Sequence, residues 1–333
     1  FPIINKMKTI KLKSFCGTKF EPKKSVSNNY DTKPDDFVHP LLYLNIGVRN
    51  SGKSYHCSTM VNQFMADRLY DACYVICPTW ISNKCYYEAF CPDENVFEPY
   101  KGAITDVVGR VEEDRDDWDD FLNGLLEYEK SKNLDVNALD DFQLFHLYEL
   151  GLLDDTCEIQ RPVWKYETER PPQSLVIMDD ILGSRAIGPE LTRLGTLSRH
   201  IAPLNIKHKL NKQRTACGLS IIINSQTYRM PSGVGRCLRE NITVLNTFEN
   251  KSPTILKVMV SELCSCVAEE DFYAAYEKAI QQKHDCLTVD FFPRQPQYRF
   301  RKNLKELILI EENKNDVKIE NEKSDQKSKQ DKK

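Results

Sequence analysis

The sequence predicts an α/β protein built on a mostly parallel β-sheet with helices on both faces. Three observations carry that expectation. Short apolar runs alternate with helical patterns; one run enters the loop Gly47-x-x-x-x-Gly52-Lys53-Ser54; a later run ends in Asp179-Asp180. At 333 residues the chain can bury a large core in one domain or two. It divides into a lead-in over 1–38, a body over 39–310 carrying an acidic insertion over 92–170, and a charged tail over 311–333.

The lead-in holds eight lysines among Ser, Asn, Asp and Pro, and predicts one short strand near Thr9–Phe15 before a linker. It opens on Phe rather than Met, so the chain reads as a fragment or a processed form, and no charged-then-apolar signal segment begins it. No stretch approaches the roughly 18 apolar residues of a membrane span. Twelve cysteines with no signal segment read as reduced, mostly buried thiols of an intracellular protein.

The first core strand is Leu41–Ile46, and it runs straight into the glycine loop. Behind the loop, Cys57, Met60, Val61, Phe64 and Met65 form the i, i+3, i+4, i+7, i+8 stripe of an amphipathic helix. A strand, this loop and a helix in that order form a phosphate-binding P-loop. Residues Gly47, Val48, Arg49, Asn50, Ser51, Gly52, Lys53, Ser54 and Tyr55 are the expected nucleotide contacts. The glycines let successive N–H groups point into one concavity, Lys53 adds a cation for the β- and γ-phosphates, and Ser54 is placed to ligate Mg²⁺. ATP with Mg²⁺ is the expected ligand pair.

Cys73–Cys77 is the second short strand, ended by Pro78. The block 92–170 then holds 22 Asp/Glu against 8 Lys/Arg, a net of −14, so the other residues carry +11 within a chain total of −3. This asymmetry fits either a basic, polyanion-binding core with a separate acidic module or a solvated insertion on an ordinary surface. Helical patterns lie around Trp118–Tyr128 and Leu139–Leu152. Core strands resume at Ser174–Met178, Leu219–Ile223 and Ile242–Phe248, followed by a helix over Glu269–Gln281 and a strand over Cys286–Phe291. From Glu311 onward the composition is almost wholly polar and predicts a disordered tail.

The run Leu175-Val176-Ile177-Met178-Asp179-Asp180 has the form of a Walker B strand. Asp179 falls where it joins Ser54 at the metal, and Asp180 where a base or water-orienting group is needed beside the γ-phosphate. The strand ending Asn224-Ser225-Gln226 offers Gln226 as a sensor of the attacking water and γ-phosphate, with Asn224 as the weaker candidate.

Five segments resemble the viral genome-packaging ATPases of the FtsK–HerA superfamily. They are HPLLYLNIGVRNSGKS, the strand ending ICPTW, LVIMDD, the pair GLSIIINSQTYRMP and GVGRCLREN, and CLTVDFF with YRFRKNL, in the family's order across most of residues 38–305. The resemblance implies a RecA-like P-loop NTPase core, assembly into a homo-oligomeric ring and translocation of double-stranded DNA into a preformed capsid. Partners would then be duplex DNA and capsid or vertex proteins, in the host-cell cytoplasm, a viral factory or the virion. It also implies Lys53, Ser54, Asp179, Asp180 and Gln226 in the roles above, and an arginine before the sensor strand that acts in the neighbouring subunit. Arg214 and Arg199 both fit that arginine, with Arg214 at the better distance. The acidic block and the long 195–218 segment depart from a compact family member.

Two GTPase-like matches, Asp180-Ile181-Leu182-Gly183 and Asn313-Lys314-Asn315-Asp316, are read as coincidence, because only 17 mostly charged residues follow the second. Cys264, Cys266, His284 and Cys286 could supply four zinc ligands, but their C-x-C and H-x-C spacings differ from the usual pattern. The basic residues Arg193, Arg199, Lys207, Lys209, Lys212 and Arg214, with Arg229, Arg236 and Arg239 after the sensor strand, form a candidate DNA-tracking surface.

Overall fold

A computed structural model describes residues 7–11, 37–154, 156–181, 187–205, 208, 211, 215–228, 236–250, 252–263 and 267–310. In chain order the elements are β1 (Met7–Lys11), β2 (Leu42–Ile46), α1 (Lys53–Ala66), β3 (Ala72–Ile76), α2 (Trp80–Tyr87), β4 (Val96–Phe97), α3 (Ala103–Ser131), α4 (Asp141–Glu149) and β5 (Ser174–Asp179). They continue with α5 (Gly188–Leu197), β6 (Leu219–Ser225), α6 (Arg236–Glu240), β7 (Val244–Phe248), α7 (Pro253–Leu263), α8 (Glu269–Ala279), β8 (Cys286–Asp290), β9 (Phe300–Lys302) and β10 (Glu306–Ile310).

All ten strands join one sheet in the order β1-β10-β9-β8-β7-β2-β6-β5-β3-β4. The six strands from β4 to β7 run parallel, and β8, β9, β10 and β1 extend the sheet antiparallel. The fold is therefore α/β with a mostly parallel core. Its strands are buried on both faces and read as near-continuous apolar runs, which is why the sequence exposes them.

The two-residue period divides those runs between two cores. Leu44, Ile46, Tyr74, Val176, Met178, Ile221 and Ile223 face α3, α5, α7 and α8. Tyr43, Val75, Leu175, Ile177, Ile222 and Val244 face the other way, onto Cys57, Met60, Val61 and Phe64 of α1 and Tyr87 of α2. The lead-in strand covers Met7–Lys11, overlapping the expected Thr9–Phe15 over residues 9–11 while 12–15 lie outside the described residues, and it pairs with β10, Met7 opposite Ile310. The tail over 311–333 lies outside the described residues.

The acidic block is not a detached module. Its first strand, β4, pairs with β3, and α3 buries Ile104, Val107, Val111, Trp118, Phe121 and Leu122 in the main core. Trp118 is wholly buried, donates Nε1–H to Asn211 Oδ1 at 3.0 Å, and meets Trp164 edge-on with ring centroids 5.0 Å apart. The block's end is tied down as well. Lys165 pairs with Asp114 of α3 at 2.5 Å, and the Arg170 guanidinium meets Asp71 at 3.1 Å in a buried pair beside the start of β3. On α3 the acidic residues Glu112, Glu113, Asp116, Asp117 and Asp120 are exposed while the opposite face is core, and Asp114 is buried against Lys165. The helical pattern read around Trp118–Tyr128 caught only part of the C-terminal half of α3, which runs for 29 residues.

Among the described residues no helix is long and apolar enough to cross a membrane. Among the described residues Cys57, Cys73, Cys77, Cys91, Cys217 and Cys286 are buried and outside any disulfide, while Cys85 and Cys157 are exposed.

Trp118→Ala should lower the stability of the whole fold by about 3–5 kcal/mol, the usual cost of emptying a large aromatic site. Denaturant unfolding read by far-ultraviolet circular dichroism is the measurement. A detached block would leave the main transition where it was.

Candidate nucleotide-binding site

The site forms where the parallel strands end. β2 delivers Gly47, β5 delivers Asp179 and β6 delivers Gln226, and β6 lies between the other two. Glycine is required twice in the loop. A Cβ on Gly47 would sit 2.4 Å from Ser51 Oγ and 2.9 Å from the Phe248 ring, and Gly52 has φ of 104°. Asn50 shares the left-handed region at φ 61°. The N-terminus of α1 has no side-chain cap, and Ser51 Oγ is buried without a hydrogen-bond partner. Such a cradle of unpaired donors at a helix N-terminus fits an anionic phosphate chain. Val48, Arg49 and Asn50 are exposed on the loop's crest, and Tyr55 stands out from the first turn of α1.

Lys53 folds back over the loop, donating from Nζ to the Gly47 carbonyl at 2.7 Å and the Val48 carbonyl at 3.2 Å. Burial lowers its pKa, and the charges of Asp180 and Asp179 oppose that shift. Ser54 Oγ donates to Asp179 Oδ2 at 3.1 Å, so the hydroxyl and the carboxylate expected at Mg²⁺ already meet. A hydroxyl beside a carboxylate is an all-oxygen donor set of the kind Mg²⁺ prefers. At the mouth, Gln226 donates Nε2–H to Asp180 Oδ1 at 3.3 Å. Asp180 is exposed and left-handed at φ 53°, an uncommon state for a residue with a side chain, and it follows directly on the buried Asp179.

Sequence reading missed the chain of side chains beneath the loop. Thr288 Oγ1 donates to Asn246 Oδ1 at 2.7 Å, Asn246 Nδ2 to Asn45 Oδ1 at 2.8 Å, and Asn45 Nδ2 to Asn224 Oδ1 at 3.0 Å. Asn224 Nδ2 then donates to Tyr87 Oη at 3.2 Å, and Tyr87 Oη to Asp179 Oδ2 at 2.5 Å. Each asparagine sits opposite the next across the sheet, in the pairs Asn246 with Thr288, Asn45 with Asn246, and Asn45 with Asn224. Every bond points toward Asp179 because a carboxylate only accepts. Asn45 also donates to the Lys53 carbonyl at 3.2 Å, tying this chain to the P-loop helix. Asn224 is therefore committed inside the sheet, whereas Gln226 stands at the mouth beside Asp180. A repeated Asn near the end of successive apolar strands was the available signal; Tyr87 had none, because only tertiary packing aims α2 at Asp179.

The two candidate trans arginines differ in placement. Arg214 lies outside the described residues. Arg199 is exposed in a short 3-10 turn over Ser198–His200, beside Gly218 at the start of β6. The P-loop is at the other end of that strand, roughly 20 Å away for seven residues. Arg199 therefore does not serve its own subunit's site.

Of the basic residues considered for DNA, Lys207, Lys209, Lys212 and Arg229 lie outside the described residues, and Arg193 is exposed on α5. Arg236 pairs with Glu240 at 2.6 Å, and Arg239 pairs with Glu262 at 2.8 Å while lying over the Tyr228 ring. Arg239 is thus an internal tie rather than a free cation. Cys264 and Cys266 of the zinc set also lie outside the described residues. The other two members diverge: His284 Nδ1 donates to the Ser51 carbonyl at 3.0 Å, whereas the Cys286 thiol is buried 3.4 Å from His56 Nδ1. Among the described residues no cluster of three or more His, Cys, Asp or Glu side chains could hold a metal.

One strand separates the P-loop strand from the Asp-Asp strand, with the polar tip of that strand between the two motifs. The fold is a RecA-like P-loop sheet. No protein-family model and no curated protein matches the chain. Among solved structures it is similar to the genome packaging NTPase B204 of Sulfolobus turreted icosahedral virus 2 in complex with ATP-gammaS, at 13% identity, 81% coverage of this chain, 98% of that one and a TM-score of 0.34. It is similar also to the pCW3 conjugation coupling protein TcpA with ATPgS (12%, 79% and 59%, TM-score 0.40) and to EssC ATPases 2 and 3 from Geobacillus thermodenitrificans (14%, 82% and 39%, TM-score 0.32). The fold assignment rests on the strand order and the P-loop geometry.

Asp179 is 1% exposed and its pKa is raised, chiefly by burial, with the hydrogen bonds from Tyr87 and Ser54 pulling the other way and Asp180 adding to the rise. A raised carboxylate pKa means that the folded state binds the proton more tightly than the unfolded chain. Stability then falls as pH rises from the ordinary Asp range, about 4, through the raised value, and stays reduced above it. Asp179→Asn should therefore unfold at a higher temperature than the wild type near neutral pH without nucleotide. The gap should close as the buffer is taken toward pH ~4. Calorimetric scans across pH decide it, and a variant less stable at neutral pH contradicts the reading.

Proposed function

We propose that this chain is an ATP-hydrolysing motor that moves double-stranded DNA, acting as a homo-oligomeric ring and packaging a viral genome into a preformed capsid. The observation that carries the hydrolytic part is the convergence at one end of the sheet of a glycine cradle, Lys53, the Ser54–Asp179 contact and the Asp180–Gln226 contact. ATP lies with its phosphates in the loop, where Lys53 exchanges its two backbone carbonyls for phosphate oxygens. Ser54 and Asp179 would hold Mg²⁺, which would supply charge neutralisation on the phosphates. Asp180, at the open mouth, accepts a hydrogen bond from the attacking water, and Gln226 fixes the orientation of both. The chemistry is mostly positioning and electrostatics, as phosphoryl transfer requires.

The motor part is supported by the segments that resemble packaging ATPases and by the net +11 carried outside the acidic block. The ring comes from the resemblance, and Arg199 is compatible with it. An exposed arginine at the far end of β6 reaches a P-loop only if that P-loop belongs to another subunit. A capsid-independent DNA translocase is the second reading, favoured by the same site; it predicts the same DNA-stimulated turnover without binding to capsid proteins. The proposed setting is the cytoplasm or viral factory of an infected cell, with some copies virion-associated.

Lys53→Ala should abolish binding of a fluorescent ATP analogue. Asp180→Asn should bind it normally and lose turnover by about 10²–10⁴, as expected when only the water-activating group is lost. Unchanged turnover in Asp180→Asn removes that residue from the mechanism, and turnover indifferent to duplex DNA removes the motor.

Mixed oligomers test the shared site. Subunits carrying Lys53→Ala, combined with subunits carrying Arg199→Ala or Arg214→Ala, should recover part of the activity both parents lack. A trans arginine is worth about 10³–10⁵ in rate, so recovery is readable. Rings shown to be mixed yet inactive for both arginines exclude them.

A further inference from the structure

We propose that Tyr87 and Asn83 of α2 are positioning residues that hold Asp179 toward the metal site. The inference rests on the nucleotide-binding reading above and goes beyond it, because the Walker motifs give α2 no part in the site. Asp179 Oδ2 accepts three hydrogen bonds, from Tyr87 Oη at 2.5 Å, Ser54 Oγ at 3.1 Å and Asn83 Nδ2 at 3.2 Å. Ser54 is the donor that the metal would claim. With Ser54 withdrawn, Tyr87 and Asn83 are the side chains left on that oxygen among the described residues. They are four residues apart and so project from one face of α2.

The geometry fixes Tyr87 more firmly than a chance contact would. It is wholly buried, its ring lies parallel to Trp80 at a centroid distance of 6.5 Å, and its hydroxyl receives Asn224 Nδ2. With Asn224 supplying that donor, the hydroxyl proton is committed to Asp179. Asn83 Nδ2 has two hydrogens, and besides Asp179 it donates to Thr79 Oγ1 at 3.1 Å in the turn before it. The carboxylate is therefore aimed by two donors that do not leave the helix. Groups of this kind behind a metal ligand typically alter metal affinity 10–100-fold when removed.

The test is the Mg²⁺ dependence of nucleotide binding, measured by titrating full-length protein with a fluorescent ATP analogue in Mg²⁺ and in EDTA. Tyr87→Phe keeps the ring and its stacking and removes only the hydroxyl. Its affinity in EDTA should match the wild type, while the tightening produced by Mg²⁺ should shrink about tenfold, and the half-saturating Mg²⁺ concentration should rise by the same factor. Asn83→Ala should shift both quantities in the same direction, and it carries the test if Tyr87→Phe does not fold. A purely structural role would instead weaken binding equally in both buffers, which overturns the proposal. So does a wild-type Mg²⁺ response in folded Tyr87→Phe and Asn83→Ala. A wild-type protein that binds no nucleotide in either buffer overturns the nucleotide reading itself and the proposal with it; one that binds but ignores Mg²⁺ overturns the proposal alone.

Discussion

Asp179 is a carboxylate taken almost wholly out of water, and among the described residues no cation pairs with it. Such a group is costly unless it collects hydrogen bonds. The structure meets that cost with donors arriving from three directions: Ser54 from the P-loop helix, Tyr87 and Asn83 from α2, and behind Tyr87 the relay that begins at Thr288. The relay needs Asn224, Asn45 and Asn246 at matching heights on neighbouring strands, so the register of four strands is pinned by one anion. A shift of one residue in any of them would point its asparagine into the opposite core, among Leu44, Ile221 and Leu245.

This arrangement bears on how the halves of the sheet cooperate. The parallel strands carry the nucleotide motifs, while the antiparallel strands look like an addition at one side. Yet Thr288 on β8 is the first donor of a chain that ends on β5, and His284 in the preceding turn holds the Ser51 carbonyl of the P-loop. Hydrogen bonds arranged head to tail polarise one another, so a change at either end is felt along the row. The antiparallel half is thereby part of the site's support rather than an appendage.

Much of this was legible in the sequence. The parallel strands announced themselves because strands buried on both faces are apolar throughout, as in Leu219–Ile223, and the P-loop carries its own punctuation in Gly47 and Gly52. Asp180 and Gln226 were each readable as polar residues at the ends of apolar strands, but their contact with each other comes from the structure. What escaped had weaker local signals. β4 is two residues long, and β9 owes its place to partners rather than composition. Glu306–Ile310 is apolar enough to read as a strand, but its nearness to a charged tail hid the pairing with β1. The acidic block misled through its outer face, because Asp116, Asp117 and Asp120 dominate the composition while Trp118 and Phe121 set the packing. Tyr87 was invisible for a different reason: a tyrosine on a short helix looks like core until the fold shows which carboxylate it meets.

The two margins of the sheet are closed in different ways. Beyond β3 the sheet ends in β4, too short to template another chain. At the opposite margin the penultimate strand is Glu-Leu-Ile-Leu-Ile, five residues of high β-propensity with a single charge, and what covers it is β1, pairing from Met7 to Lys11. Those residues, Met-Lys-Thr-Ile-Lys, place two lysines on the strand that becomes the outermost. Exposed apolar edges recruit like edges from other molecules, and lysine on a margin discourages this. The lead-in strand is in this sense a solubility device, covering a ribbon that would otherwise be adhesive. Shortened versions of the protein that begin at the P-loop domain would carry an uncovered β10 and a tendency to self-associate through it.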